Sequence, residues 1–162
     1  MSDRLPREDK LSEAETLRKI RLTQLIQDLQ KEQQIAFYMG TYYSTNIPRH
    51  AGIFAELPPE NIPEGYCGSL CCLAGLAYVK HAERPERLHS DQYFEWAKDW
   101  LGLTQAEAKA LFTPGEVMVF KVARHYSKST AVRVLRRLRD EGVVDWPRAM
   151  KEEIAAGTTE GR

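Results

Sequence analysis

The three cysteines of the chain lie within six residues, inside "GYCGSLCCLAGLAYV" from Gly65 to Val79. A thiol becomes a useful nucleophile only as its thiolate, and a helix N-terminus favours that form through about half a positive charge. Ser69 has the type and position of an N-cap, and Leu70, Leu73, Ala74 and Ala77 recur on one helical face behind it. The spacing therefore predicts a helix over about 70–81, with Cys67 just before its start. In that posture Cys67 is the candidate catalytic residue of a thiol enzyme. A nucleophile needs a base. His81 sits at the far end of the same helix, about 18 Å away along its axis. His50, His89 and His125 remain as candidates, and the sequence does not choose among them. The competing reading is that Cys71 and Cys72 pack as small hydrophobes and that Cys67-Gly68-Ser69 is a tight helix entry. Exposed N–H groups at such an entry suit a carboxylate or phosphate. Cys67, Gly68 and Ser69 are thus also the candidate ligand-binding residues.

Metal and cofactor chemistry finds little support in the pattern. Zinc sites pair cysteines two to four residues apart and then repeat the pair, but no further cysteine follows and no histidines form a spaced pair. There is no Gly-rich phosphate loop, no His-Glu-x-x-His and no Gly-x-Ser-x-Gly. No metal and no cofactor are expected.

A second candidate is "SKSTAVRVLRRLRDEGVV", in which Arg133, Arg136 and Arg137 share one helical stripe opposite Ala131, Val134, Leu135 and Leu138. Such a stripe can contact phosphates, as in a winged helix-turn-helix. The wing is missing, because Gly142 is followed by "VVDWPRAMKEE", a proline and then a helical pattern. With 23 basic and 23 acidic residues the chain also lacks the basic footprint of a DNA-binding domain. These arginines are expected to lie on an exposed, solvated face, and nucleic acid is not the expected partner.

The elements that must carry these residues are mostly helices. Ser12 and Glu15 form a capping-box signature ahead of Leu22, Leu25, Ile26 and Leu29, which predicts a first helix over about 12–34. Residues 36–45 are aromatic and glycine-interrupted, with room for at most a short strand pair. "LPPENIPEGY" is a proline-rich loop. The segment 70–81 is apolar all round, the mark of a buried central helix. Further helices follow a cap at Ser90, a capping box at Thr104 and Glu107, a cap-plus-proline at Thr113 and Pro114, a cap at Thr130, and Asp145 with Pro147. The "VMVFKV" run after Pro114 suits helix or strand, and the caps favour helix. Tyr38, Tyr42, Tyr43, Tyr93, Phe94, Trp96 and Trp100 are expected to pack in the core.

At "CGSLCCLAGLA" the chain resembles a family of uncharacterised bacterial and phage proteins with the signature Cys-Gly-Thr/Ser-x-x-Cys-x-x-Gly-x-Ala. The signature falls here on Cys67, Gly68, Ser69, Cys72, Gly75 and Ala77. "WLGLTQAEAKALF" and "AVRVLRRLRDEGVVDW" extend the resemblance over about 57–146. Leu76 departs from it, standing where many relatives carry Trp. The resemblance implies a bacterial or phage origin and brings no activity with it.

The sequence as a whole predicts an all-α fold. It is one compact domain over 11–154, with about six to seven helices around the central helix and flexible ends at 1–10 and 155–162. No run approaches the roughly 18 apolar residues of a membrane span, and no secretory leader is visible. A cytoplasmic protein with reduced thiols is expected. The leading functional expectation is a non-enzymatic binding or interaction protein, taking a protein or a small anionic ligand near Cys67–Ser69. A Cys67-dependent enzyme and a nucleic-acid binder using Arg133, Arg136 and Arg137 are the alternatives.

Overall fold

The computed structural model describes residues 5–39, 41–55, 57–83, 85–86, 88–114 and 126–160. Among them six helices dominate: α1 (Leu5–Lys31), α2 (Leu73–His81), α3 (Ser90–Leu101), α4 (Gln105–Phe112), α5 (Lys128–Glu141) and α6 (Trp146–Glu160). Two short 3-10 turns, Gly52–Ala55 and Pro59–Asn61, interrupt the long connection ahead of α2. Three two-residue strands, β1 (Ala36–Phe37), β2 (Tyr43–Ser44) and β3 (Leu70–Cys71), form one small sheet. The fold is all-α with this minor sheet. The "VMVFKV" segment and His125 lie outside the described residues.

The core forms where the apolar stripes meet. Leu22, Leu25, Ile26 and Leu29 of α1 are buried, as their i, i+3, i+4, i+7 spacing predicts. Helix α1 packs on α5, α2 on α3, and α5 on α6. Leu73, Ala74 and Ala77 of α2 have no exposed surface at all, and Leu70 has almost none. Trp146 stacks on Tyr126 at a centroid distance of 4.4 Å and donates its indole N–H to Ala110 O at 3.0 Å. Of the aromatics expected in the core, Tyr93 is buried, while Tyr42, Tyr43, Phe94, Trp96 and Trp100 are partly buried against it.

Several boundaries differ from expectation. Helix α1 starts at Leu5, so Ser12 and Glu15 lie inside it and its cap signature is not used as a start. Helix α5 is capped by Ser127, whose Oγ accepts the Thr130 N–H at 3.0 Å, three residues before the expected cap. His89, not Ser90, is the N-cap of α3, and its N–H donates to Gln92 Oε1 at 2.9 Å. Helix α6 continues to Glu160, beyond the expected end at 154. The Thr104–Glu107 capping box forms as predicted, with reciprocal bonds of 3.0 and 3.1 Å.

The largest difference falls on the central helix. It begins at Leu73, and Leu70–Cys71 is instead the middle strand of the sheet. Strand β3 pairs parallel with β1 and antiparallel with β2. The strands near 36–45 therefore do not pair with each other; each flanks a third strand from the cysteine segment.

Candidate functional site

The later helix start moves the chemistry. Cys72, not Ser69, is the N-cap of α2. Full burial pushes the Cys72 thiol pKa up to about 11, against the opposing pull of the Gly75 and Ala74 N–H groups. Cys71 is also fully buried, and burial first, then the neighbouring Cys72, raises its pKa well above that of an ordinary thiol. The helix-terminal thiol of this protein is thus a protonated packing group.

Cys67 is exposed and lies five residues before that cap. The backbone around it is tied down as a strand lead-in. Its N–H donates to Gln34 O at 2.8 Å, Gly68 O accepts the Ile47 N–H at 2.9 Å, and Ser69 O accepts the Ala36 N–H at 2.9 Å. Gly68 adopts φ of +96°, a conformation that favours glycine. Ser69 is buried. Among the described residues no histidine is hydrogen-bonded to Cys67. His81 is engaged elsewhere, with Nε2 2.6 Å from Asp28 Oδ2 and its ring stacked on Trp100 at 4.3 Å. His50 and His89 are exposed on separate loops. Among the described residues Cys67 has access but no hydrogen-bonded base, and Cys72 has the dipole but no access. Among the described residues no group of three or more His, Cys, Asp or Glu side chains is arranged to hold a metal ion.

The arginine stripe is largely neutralised by α6. Arg133 Nε donates to Glu153 Oε2 at 2.7 Å, and Arg137 donates to Glu152 Oε1 at 2.6 Å and to Glu141 Oε2 at 3.0 Å. Arg137 and Arg133 are half-buried, against the expected exposure, and Arg136 alone of the three is exposed. An amphipathic helix facing α6 meets its acidic side chains there, so a stripe that reads as solvated is an internal ion-pair seam.

The structure brings together a different set of residues. Two clefts of about 650 and 510 Å³ share Glu32 and Pro63 and so run into one groove. One end is lined by Lys128, Ser129 and Arg136 of α5, the other by Glu64 and Gly65, two residues before Cys67. Glu32 sits where the two clefts meet. Its side chain is 5% exposed, with Oε1 accepting the N–H groups of Gln34 and Ile35 at 3.0 Å each. Burial would raise its pKa, but the Lys80 ammonium at 2.7 Å and those N–H groups outweigh it and hold it low.

The α5 end is fixed by the Pro59–Asn61 turn. Asn61 is fully buried; its Nδ2 donates to Tyr126 O at 3.0 Å and its Oδ1 accepts the Lys128 N–H at 3.0 Å. Glu60 beside it accepts the Ser129 N–H at 3.2 Å and the Ser129 hydroxyl at 2.8 Å. The Lys128 ammonium is half-buried and forms no ion pair with a carboxylate of the described residues. Desolvation lowers its pKa, opposed at longer range by Glu32, Cys71 and Glu60. Nothing in the sequence announces this groove, because its walls come from residues far apart in the chain.

No protein-family model, no curated protein and no solved structure matches the chain. No helix among the described residues is long and apolar enough to cross a membrane.

Proposed function

We propose that this protein is a non-enzymatic binding module whose site is the groove running from α5 to Gly65, beside the Cys67–Ser69 segment. The observation that carries this reading is the half-buried Lys128 ammonium, which lines the groove with no carboxylate of the described residues in direct contact. A desolvated charge without a partner costs free energy in the isolated protein, and a bound ligand recovers it. The thiol-enzyme alternative is weaker. No described histidine bonds Cys67, and the only thiol at a helix start is fully buried. The nucleic-acid alternative is weaker too, because α6 carboxylates already occupy Arg133 and Arg137.

The test is an NMR screen of the whole protein against a set of small anionic, cationic and neutral polar fragments. Saturable shifts that cluster on Glu32, Gly65 and Lys128 amides support the reading. Fragments that cluster elsewhere, or no saturable shift in the groove from any fragment class, overturn it.

A further inference from the structure

We propose that the α5 end of the groove is a site for a small polyvalent oxyanion, a phosphate- or carboxylate-bearing ligand. Lys128 and Arg136 hold it, and it competes with the Glu60 carboxylate. This rests on the binding-module reading and gives that site its ligand chemistry.

Three cations line this cleft, Lys128, Arg133 and Arg136, together with three carboxylates, Glu32, Glu60 and Glu153. Arg133 and Glu153 neutralise each other at 2.7 Å, and Glu32 is taken by Lys80 at 2.7 Å. Lys128 and Arg136 then remain without an ion-pair partner among the described residues. Glu60 keeps its hydrogen bonds from Ser129 and has no ion pair with a cation of the described residues. The unpaired charge in the cleft is therefore net positive. Lys128 and Arg136 stand eight residues apart on one helix, about 12 Å between Cα atoms, and both chains are long enough to converge over the Val132 position between them. Two cations on one wall suit a ligand with two or more negative charges, and the guanidinium fork matches two oxygens of a phosphate or carboxylate. Desolvation of Lys128 makes its contact with an anion stronger than an exposed lysine would give.

Glu60 is the internal competitor. Its carboxylate rests on the Ser129 N–H and hydroxyl in the first turn of α5, at the rim of the same cleft. An incoming anion meets its repulsion or takes its place. Either way, removing the Glu60 charge while keeping its hydrogen-bonding shape strengthens binding.

The experiment is calorimetric titration of the whole protein with pyrophosphate and, in a second arm, with citrate, at low and at physiological ionic strength. One-site saturable binding is expected in at least one arm. Lys128→Ala and Arg136→Ala are each expected to weaken it about tenfold or more, the loss of a charge-assisted contact, and Glu60→Gln to strengthen it severalfold. Circular dichroism melts establish that each variant folds. No saturable binding in either arm, or binding that neither cation substitution changes, overturns the site. An unchanged affinity in Glu60→Gln overturns the competition. If cationic or neutral fragments shift the groove amides while both anions fail, the anion site is lost and the binding-module reading stands.

Discussion

The carbonyl oxygen of Tyr42 lies against the α carbon of Gly75, so close that a Cβ built there would overlap it. Tyr42 immediately precedes β2, and Gly75 is in the first turn of α2. The contact seats the edge of the sheet directly on the central helix. Gly75→Ala is expected to destabilise the protein by about 2–4 kcal/mol, at or above the usual cost of overpacking, because backbone rather than a flexible side chain must move. Urea unfolding followed by circular dichroism measures this. A loss below about 0.5 kcal/mol would show that the strand and helix are not in contact.

The cysteines separate by access. Cys67 is exposed, whereas Cys71 and Cys72 are each 2% exposed. Timed alkylation of native protein near neutral pH, with the modified peptide identified by mass, is expected to label Cys67 first and the other two only on unfolding. Early labelling of Cys72 would contradict its burial as the α2 cap. A Cys67 rate faster than that of a free cysteine, slowed by a histidine substitution, would revive the enzyme reading.

The buried thiols also set a pH dependence. In the unfolded chain a cysteine ionises near its ordinary value of 9, while Cys72 in the folded protein holds its proton up to about 11. Between those values the folded state binds more protons than the unfolded state, so stability falls as pH rises. A difference of that size in proton affinity corresponds to roughly 3 kcal/mol lost across the window. Cys71 adds in the same direction, and so does Tyr126, whose pKa burial also raises. Urea midpoints from pH 8 to 10.5 should decline, and Cys72→Ala should shrink the decline. An identical slope in wild type and Cys72→Ala would remove this account.

Much of the fold is legible in the sequence because burial imposes period. The stripe from Leu22 to Leu29, the all-round apolar run from Leu73 to Ala77 and the Thr104–Glu107 box each encode their structure locally. The helix start at 70 is not legible. Leu70 and Cys71 fit a helical face and a strand equally well, and what decides is pairing with Ala36–Phe37 and Tyr43–Ser44, more than twenty residues away. Ser69 is by type a better cap than Cys72, yet its carbonyl is committed to Ala36 N–H. The groove is less legible still. Glu32, Glu60 and Lys128 meet only through the path of the long connection, and Arg133 reads as free until Glu153 of α6 is placed beside it.

The ion-pair seam between α5 and α6 yields a prediction on nucleic acid. Glu152 and Glu153 occupy Arg137 and Arg133, so only Arg136 of the stripe is open to phosphate. Duplex DNA should show no sub-micromolar shift on a gel at physiological salt. The Glu152→Gln, Glu153→Gln double variant frees two arginines and should bind more tightly, with a steeper salt dependence. Tight arginine-dependent binding by the wild-type protein would overturn the neutralised-stripe account.

Asn61 ties the proline-rich loop to the start of α5. It has no exposed surface, and its amide bridges Tyr126 O and the Lys128 N–H, both at 3.0 Å. A leucine of similar volume keeps the packing but removes the Asn61 donor to Tyr126 O and the acceptor of the Lys128 N–H. Each lost bond costs about 1–3 kcal/mol, so Asn61→Leu, which loses two, is expected to cost about 2–6 kcal/mol. The loss should be local before it is global. Glu60 is the next residue in the same turn, and it sits on Ser129. Native-state hydrogen exchange should therefore show the Lys128 and Ser129 amides losing protection while the Leu25 and Leu76 amides keep theirs. Uniform loss across α1, α2 and α5 would mean that Asn61 supports the whole core rather than this junction. Unchanged protection at Lys128 would mean that its N–H does not depend on Asn61.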